Sequence, residues 1–275
     1  RLHSIGAVGS DKCVLCPHDV GTQQHRAWQC VGTRAYRDQY GLPRSAGVDQ
    51  RQKFLWEFGL MTDPTVWLPR PASTCIITWD VAPTDGLFQG EAYGDGSTFN
   101  GKCAATARSG WAVTQVEERN GDMVVIAAAR GALPGLYQGT PPAEAFSFLQ
   151  YLAHAGLPPH VFATDCDWVR SSWVAGQACT TGSGKVHANL WRQIFAKAEL
   201  LGGADCVTVR HVKAHTARID IDRGVISGKD RAGNASADKF AKLGANDHPQ
   251  DAVAFDRYEK AVSVTQLVAK YLARI

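Results

Sequence analysis

"SGWAVTQVEERNGDMVVIAAARG", residues 109–131, decides the reading of the fold. Two β-rich runs flank Asn120-Gly121, and Asn-Gly between such runs is the strongest short-range hairpin signal. Upstream, "TCIITWDV" (74–81) and "LFQGEAYG" (87–94) read as extended. Downstream, "TPPAEAFSFLQYLAHAG" (140–156) reads as a helix. Prolines open it, where a missing N–H costs nothing; Gly156 closes it; Ala145, Phe148, Leu149 and Leu152 form its apolar face. "HVFATD" (160–165) is a short buried strand, and "CVTVRHV" (206–212) is another. "WVRSSWVAG" (168–176), "HANLWRQIFAKAELLGG" (187–203), "GNASADKFAKLGA" (233–245) and "SVTQLVAKYLARI" (263–275) are helical. The order is three strands, helix, strand, helices, strand, helix. It predicts a mixed sheet covered by helices, an α/β fold.

The totals agree with a folded globular chain. At 275 residues with 45% hydrophobic content, it can bury a core and hold more than one unit. No apolar run approaches a membrane span, so no membrane partner is expected. The start "RLHSIGAVGS" has no Met and no apolar signal region. The expectation is a fragment of a longer intracellular protein, nuclear or cytoplasmic and not secreted. Residues 1–75 hold nine Lys/Arg against six Asp/Glu, while the rest is balanced, a weak pointer to an anionic partner.

Four carboxylates stand where folding alone would not put them. In "AYGDGSTFNG" (92–101), Asp95 ends a strand that runs into a glycine-rich turn, and Gly94 and Gly96 are expected to let a phosphate approach the backbone. Glu144 borders the apolar face of its helix. Asp165 ends "HVFATD" on the face of Val161 and Ala163, and Asp238 lies beside Ala237 and Ala241. Neighbouring strands lie ~4.8 Å apart. Two bare carboxylates about 4 Å apart, at an effective dielectric near 20, repel by roughly 4 kcal/mol. Either some of them are protonated or a cation sits among them, and oxygen ligands select Mg²⁺ first and Mn²⁺ next. Two such ions suit phosphodiester hydrolysis.

"YGDGSTFNG", "QGTPPAEAF", "ATDCDWVRSSW", "VKAHTA" and "GNASADKFA" resemble, in order, the five motifs of type 1 ribonuclease H, over residues 86–246. The resemblance implies a five-stranded mixed sheet flanked by helices and two-metal endonucleolytic hydrolysis of the RNA strand of RNA–DNA hybrids. It implies that Asp95, Glu144, Asp165 and Asp238 hold two Mg²⁺ ions, or Mn²⁺, and that His215 assists proton transfer. It puts Ser97, Asn100, Gln138, Thr140 and Asn234 among the substrate contacts, with Asn234 organising the start of the last core helix. Departures are Cys166 where Ser is common, the added Asp167, Gly139 in place of a Thr, and a long loop from Thr216 to Arg231 with Asp220, Asp222 and Asp230.

Near the start, "CVLCPHDVGTQQHRAWQC" (13–30) has the spacing Cys-x2-Cys-x8-His-x4-Cys. Cys13, Cys16, His25 and Cys30 suit a structural tetrahedral Zn²⁺, with His18 a rival fourth ligand. Arg26, Arg34 and Arg37 are candidates to touch phosphates or simply to keep the surface soluble. The motif also resembles the zinc-binding segment that follows the polymerase in reverse transcriptases of LINE-type retroelements. That resemblance implies a retrotransposon polyprotein and its reverse transcriptase domain as a partner. The expected organisation is a zinc-knuckle-like segment and helical linker over 1–70, a ribonuclease H domain over 86–246 and a C-terminal helix over 250–275. Two alternatives remain: a catalytically decayed nucleic-acid-binding remnant, and another nuclease of the same fold.

Overall fold

The structure, a computed structural model, describes residues 10–16, 19–43, 53–61 and 67–275. His18 and the opening nine residues lie outside them. The chain divides into two compact units, one of Arg1–Leu68 with Asp251–Ile275 and one of Pro69–Gln250.

In the smaller unit an isolated antiparallel bridge, Lys12 to Val20, brackets the first two cysteines. A π-helical turn at His25–Gln29 follows, then α1 (Arg34–Gln39) and α2 (Lys53–Phe58).

The larger unit is built on a six-stranded sheet: β1 (Thr78–Val81), β2 (Glu91–Phe99), β3 (Arg108–Arg119), β4 (Asp122–Ala132), β5 (His160–Thr164) and β6 (Val207–His211). Their order across the sheet is β1-β4-β3-β2-β5-β6. The first four are antiparallel neighbours, while β5 and β6 run parallel to β2. The expected mixed sheet is there, and "TCIITWDV" supplies a sixth strand at its edge. Asn120 and Gly121 make the β3–β4 turn with φ of 55° and 85°, the left-handed pair that matches strand twist.

Helices α3 (Thr140–Ala153), α4 (Asp167–Ala175), a short α5 (Gln177–Thr180) and α6 (Ala188–Leu200) follow. Phe148, Phe162, Trp173, Trp191 and Ile194 build the core between the sheet and these helices. A short α7 (Arg218–Asp222) and α8 (Gly228–Asn246) complete the unit. Tyr93, Val116, Ala163, Val212 and Ala237 form the second core, where α8 meets the sheet. α3 is buried on every side from Pro142 to Leu152, beyond the single apolar face that the spacing predicts. The expected long loop from Thr216 to Arg231 contains α7 and the first turn of α8, capped by the Ser227 hydroxyl, which accepts the Asp230 N–H at 3.0 Å. α9 (Ala252–Leu272), within the stretch expected as a C-terminal helix, belongs to the smaller unit. No described helix is long and apolar enough to cross a membrane.

Candidate active site

Asp95 does not end its strand. β2 continues to Phe99 and stays paired with β3 throughout, but its pairing with β5 stops at Tyr93. Beyond that point β2 has a free edge, and Asp95 is the second residue along it. Asp165 is the first residue after β5, so both acids face the cleft where the two parallel strands part. The expected glycine-rich turn is instead strand. A Cβ at Gly94 would fall 2.2 Å from the Phe162 ring, and one at Gly96 would fall 2.3 Å from the Glu144 nitrogen. Gly96 thus admits α3 onto the sheet, and Gly94 makes room for the Phe162 ring of β5 and the Ser147 hydroxyl of α3. The close approach brings Glu144, in the first turns of α3, to the free edge beside Asp95.

One oxygen from each of Asp95, Glu144 and Asp165 lies within 4.8 Å of the others. Asp95 is 7% exposed and Glu144 is 4% exposed. Asp95 Oδ1 accepts the Gly96 N–H at 2.8 Å, and Asn234 Nδ2 donates to Asp165 Oδ2 at 2.9 Å. Glu144 Oε2 is buried and has no hydrogen-bond partner. Burial pushes the Asp95 carboxyl up to about 6; its hydrogen bond with Glu144 works against that, and the charges of Asp165 and Asp238 add to it. Burial, then the Asp95 charge, pushes Glu144 well above the usual carboxylate range. The group is thus short of positive charge and holds one acceptor that nothing satisfies. Hard oxygen donors with this deficit fit a divalent cation such as Mg²⁺.

The surrounding cleft, about 420 Å³, is also lined by Ser97, Thr98, Thr140, His215, Thr216, Arg231, Asn234 and Asp238. Asp238 shares the cleft but stands outside the three-oxygen cluster, with its carboxylate 2.6 Å from Lys242 Nζ. His215 is an exposed residue on the rim, with φ of 49°. The Thr140 hydroxyl donates to Thr98 at 3.1 Å, and Thr98 in turn bonds Ser109 at 2.9 Å. Asn234 lies in the second turn of α8, not at its start, and its Oδ1 is buried without a partner.

Two expected substrate contacts lie elsewhere. Gln138 gives its whole amide to the backbone: Oε1 accepts the Ser109 N–H at 2.7 Å, and Nε2 donates to Leu133 and Gly135 carbonyls. It stitches the β4–α3 loop to β3 and does not line the cleft. Asn100, exposed in the turn after β2, is not a lining residue either. Asp167 pairs with Arg170 at 2.8 Å and is not among the residues lining the cleft. Asp230 is engaged by Arg210 and by the Tyr93 hydroxyl. Arg231 is a cleft residue that the motifs did not select. The signal was present, since Arg231, Asn234 and Asp238 recur at i, i+3 and i+7 on one face of α8.

In the smaller unit, Cys13, Cys16, His25 and Cys30 are buried and offer ligand atoms all within 4.8 Å. Cys16 Sγ is 3.1 Å from His25 Nε2, and Cys13 and Cys30 sulfurs are 3.8 Å apart, far beyond a disulfide. Burial raises the Cys13 thiol, but hydrogen bonds from the Leu15 and Cys16 backbone and the adjacent thiols outweigh it and bring it down to about 7. Asp19 lies 3.6 Å from the other His25 ring nitrogen. Three sulfurs, one of them a thiol with a lowered pKa, and an imidazole fit a tetrahedral metal such as Zn²⁺.

No protein-family model matches the chain, and no curated protein does. Among solved structures it is similar to the PFV RNase H domain, at TM-score 0.42 and 22% identity over 58% of this chain and 96% of that one. It is similar to LC9-RNase H1, a type 1 RNase H with the type 2 active-site motif, at TM-score 0.42 and 19% identity over 73% and 86% of the two chains. It is also similar to the foamy viral protease-reverse transcriptase in complex with RNA/DNA hybrid, at TM-score 0.41 and 17% identity over 56% of this chain. The match spans 20% of that protease-reverse transcriptase.

Proposed function

We propose that the larger unit hydrolyses the RNA strand of RNA–DNA hybrids with divalent cations held by Asp95, Glu144 and Asp165, and with Asp238 serving a second ion from the rim. The observation that carries the reading is the buried, unsatisfied Glu144 Oε2 within 4.8 Å of two further carboxylates, in an open cleft. Asp95, Glu144 and Asp165 would hold Mg²⁺, which would supply Lewis-acid stabilisation of the phosphodiester and a more acidic bound water. The chain's own groups do the rest. Asn234 fixes the direction of Asp165 through its amide N–H. The Ser97, Thr98 and Thr140 hydroxyls line the cleft within reach of a ribose, whose 2′-hydroxyl separates RNA from DNA. Arg231 offers a cation to the phosphate backbone. His215, exposed on the rim, holds or passes a proton at the leaving oxygen.

The same reading makes the chain part of a retroelement polyprotein, with a reverse transcriptase domain as its partner. The Cys/His segment ahead of the five motifs supports it.

The test is cleavage of labelled RNA–DNA hybrid, double-stranded RNA and double-stranded DNA, with and without Mg²⁺ and Mn²⁺. Hybrid alone is cut, only with metal, and Asp95→Asn lowers the rate by about a hundredfold or more. Undiminished cleavage by Asp95→Asn contradicts the mechanism. Tight hybrid binding without cleavage by the wild-type chain supports the binding remnant instead.

A further inference from the structure

Arg37 is the residue in the smaller unit that composition explains least. It is 2% exposed, so it is not the phosphate contact that the sequence offered. A buried guanidinium ordinarily demands a carboxylate. Among the described residues its partners are neutral: Nη2 donates to the Cys30 carbonyl at 3.0 Å, and Nη1 to the Ala27 carbonyl at 2.9 Å and the Thr33 hydroxyl at 2.7 Å. All three acceptors lie in the turn that delivers Cys30. Three thiolates around one divalent cation leave one net negative charge. A buried cation bonded to the backbone of one ligand is the complement that such a centre lacks.

The same turn is held from the far end of the chain. The Tyr271 hydroxyl, near the C-terminus of α9, donates to the Ala27 carbonyl that Arg37 also binds. Trp28, between the ligands His25 and Cys30, lies 5.3 Å from the rings of both Tyr271 and Trp56. Val268 and Leu42 close this core. At Gly59, which ends α2, a Cβ would sit 3.0 Å from the Ala269 backbone, so α2 rests directly on α9.

We infer that Cys13, Cys16, His25 and Cys30 form a structural metal centre of the zinc class that is completed by the C-terminal helix of the same chain, with Arg37 as the charge-balancing positioning residue that joins the two. This rests on the zinc reading and extends it. Metal binding orders α9, and α9 in turn strengthens metal binding, as linkage requires.

The experiment uses the full chain. Zinc is loaded and then removed with a chelator, and amide hydrogen exchange is followed over Ala252–Leu272 and over the sheet. Retention against a chromogenic chelator is compared for wild type, Arg37→Gln and Tyr271→Phe. The expected result is one zinc per chain, protection of α9 falling about tenfold or more on removal while the sheet is unchanged, and about ten- to hundredfold weaker retention in Arg37→Gln. Tyr271→Phe, which keeps the ring, weakens retention by a smaller factor. Absence of zinc binding overturns the metal reading itself. Zinc that binds while α9 protection and both variants stay as in wild type overturns the coupling and leaves the metal centre standing.

Discussion

Glu144 and Asp95 set function against stability. Each is a carboxylate taken out of water beside another, and a hydrophobic or neutral residue would fold better at either place. The sign of the pH effect follows from Asp95. Its folded pKa of about 6 lies above the ordinary carboxylate value, so the folded chain holds this proton more tightly than the unfolded chain. Stability of the metal-free protein therefore falls as pH rises from about 4 to about 6, by at most roughly 3 kcal/mol. Asp95→Asn removes the Asp95 share of this slope, leaving the share of Glu144, which is raised in the same direction, and raises metal-free stability at pH 7 by about 1–3 kcal/mol. Thermal denaturation at a series of pH values, with and without Mg²⁺, measures both effects; Mg²⁺ stabilises the wild type and has little effect on the variant. All three clustered acids were legible in the sequence, because each interrupts an apolar pattern at a strand or helix edge. Arg37 was not legible, since nothing in a local pattern marks a buried arginine whose acceptors are backbone carbonyls.

At the scale of elements, the site depends on how α3 meets β2. Period-two and helical spacing reveal both elements, and Asn120-Gly121 fixes the hairpin between their neighbours. Spacing does not reveal what a glycine faces. Gly94 and Gly96 read as a turn because glycine usually marks one, whereas here Gly96 is the contact surface for α3 and Gly94 makes room for the Phe162 ring. Gly96→Ala therefore costs about 1–3 kcal/mol or more and displaces Glu144, so Mg²⁺-dependent stabilisation is lost along with stability. Gly121→Ala, at a turn with open space around it, costs only about 1 kcal/mol and leaves Mg²⁺ binding intact. Denaturant titration of the two variants separates packing from turn conformation. Gln138 escaped sequence reading for a similar reason. Its motif neighbours suggest substrate, but its amide is fully used in bracing a loop.

For the whole molecule, the α/β class and the element order were legible because hydrophobic periodicity is local. The pairing of chain ends was not, because the attachment of α9 to the Cys/His unit depends on Trp28, Trp56 and Tyr271 meeting across more than two hundred residues. The two units carry distinct donor sets, oxygen in the cleft and sulfur with imidazole in the smaller unit, and the two sets suit different classes of metal. The central claim concerns the oxygen site. It is tested most directly by Mn²⁺ binding to the full, zinc-loaded chain, followed by electron paramagnetic resonance or calorimetry in wild type and Glu144→Gln. The account predicts saturable Mn²⁺ binding in the wild type, competed by Mg²⁺ and weakened about tenfold or more by Glu144→Gln. No saturable binding, or equal binding by the two proteins, would contradict it.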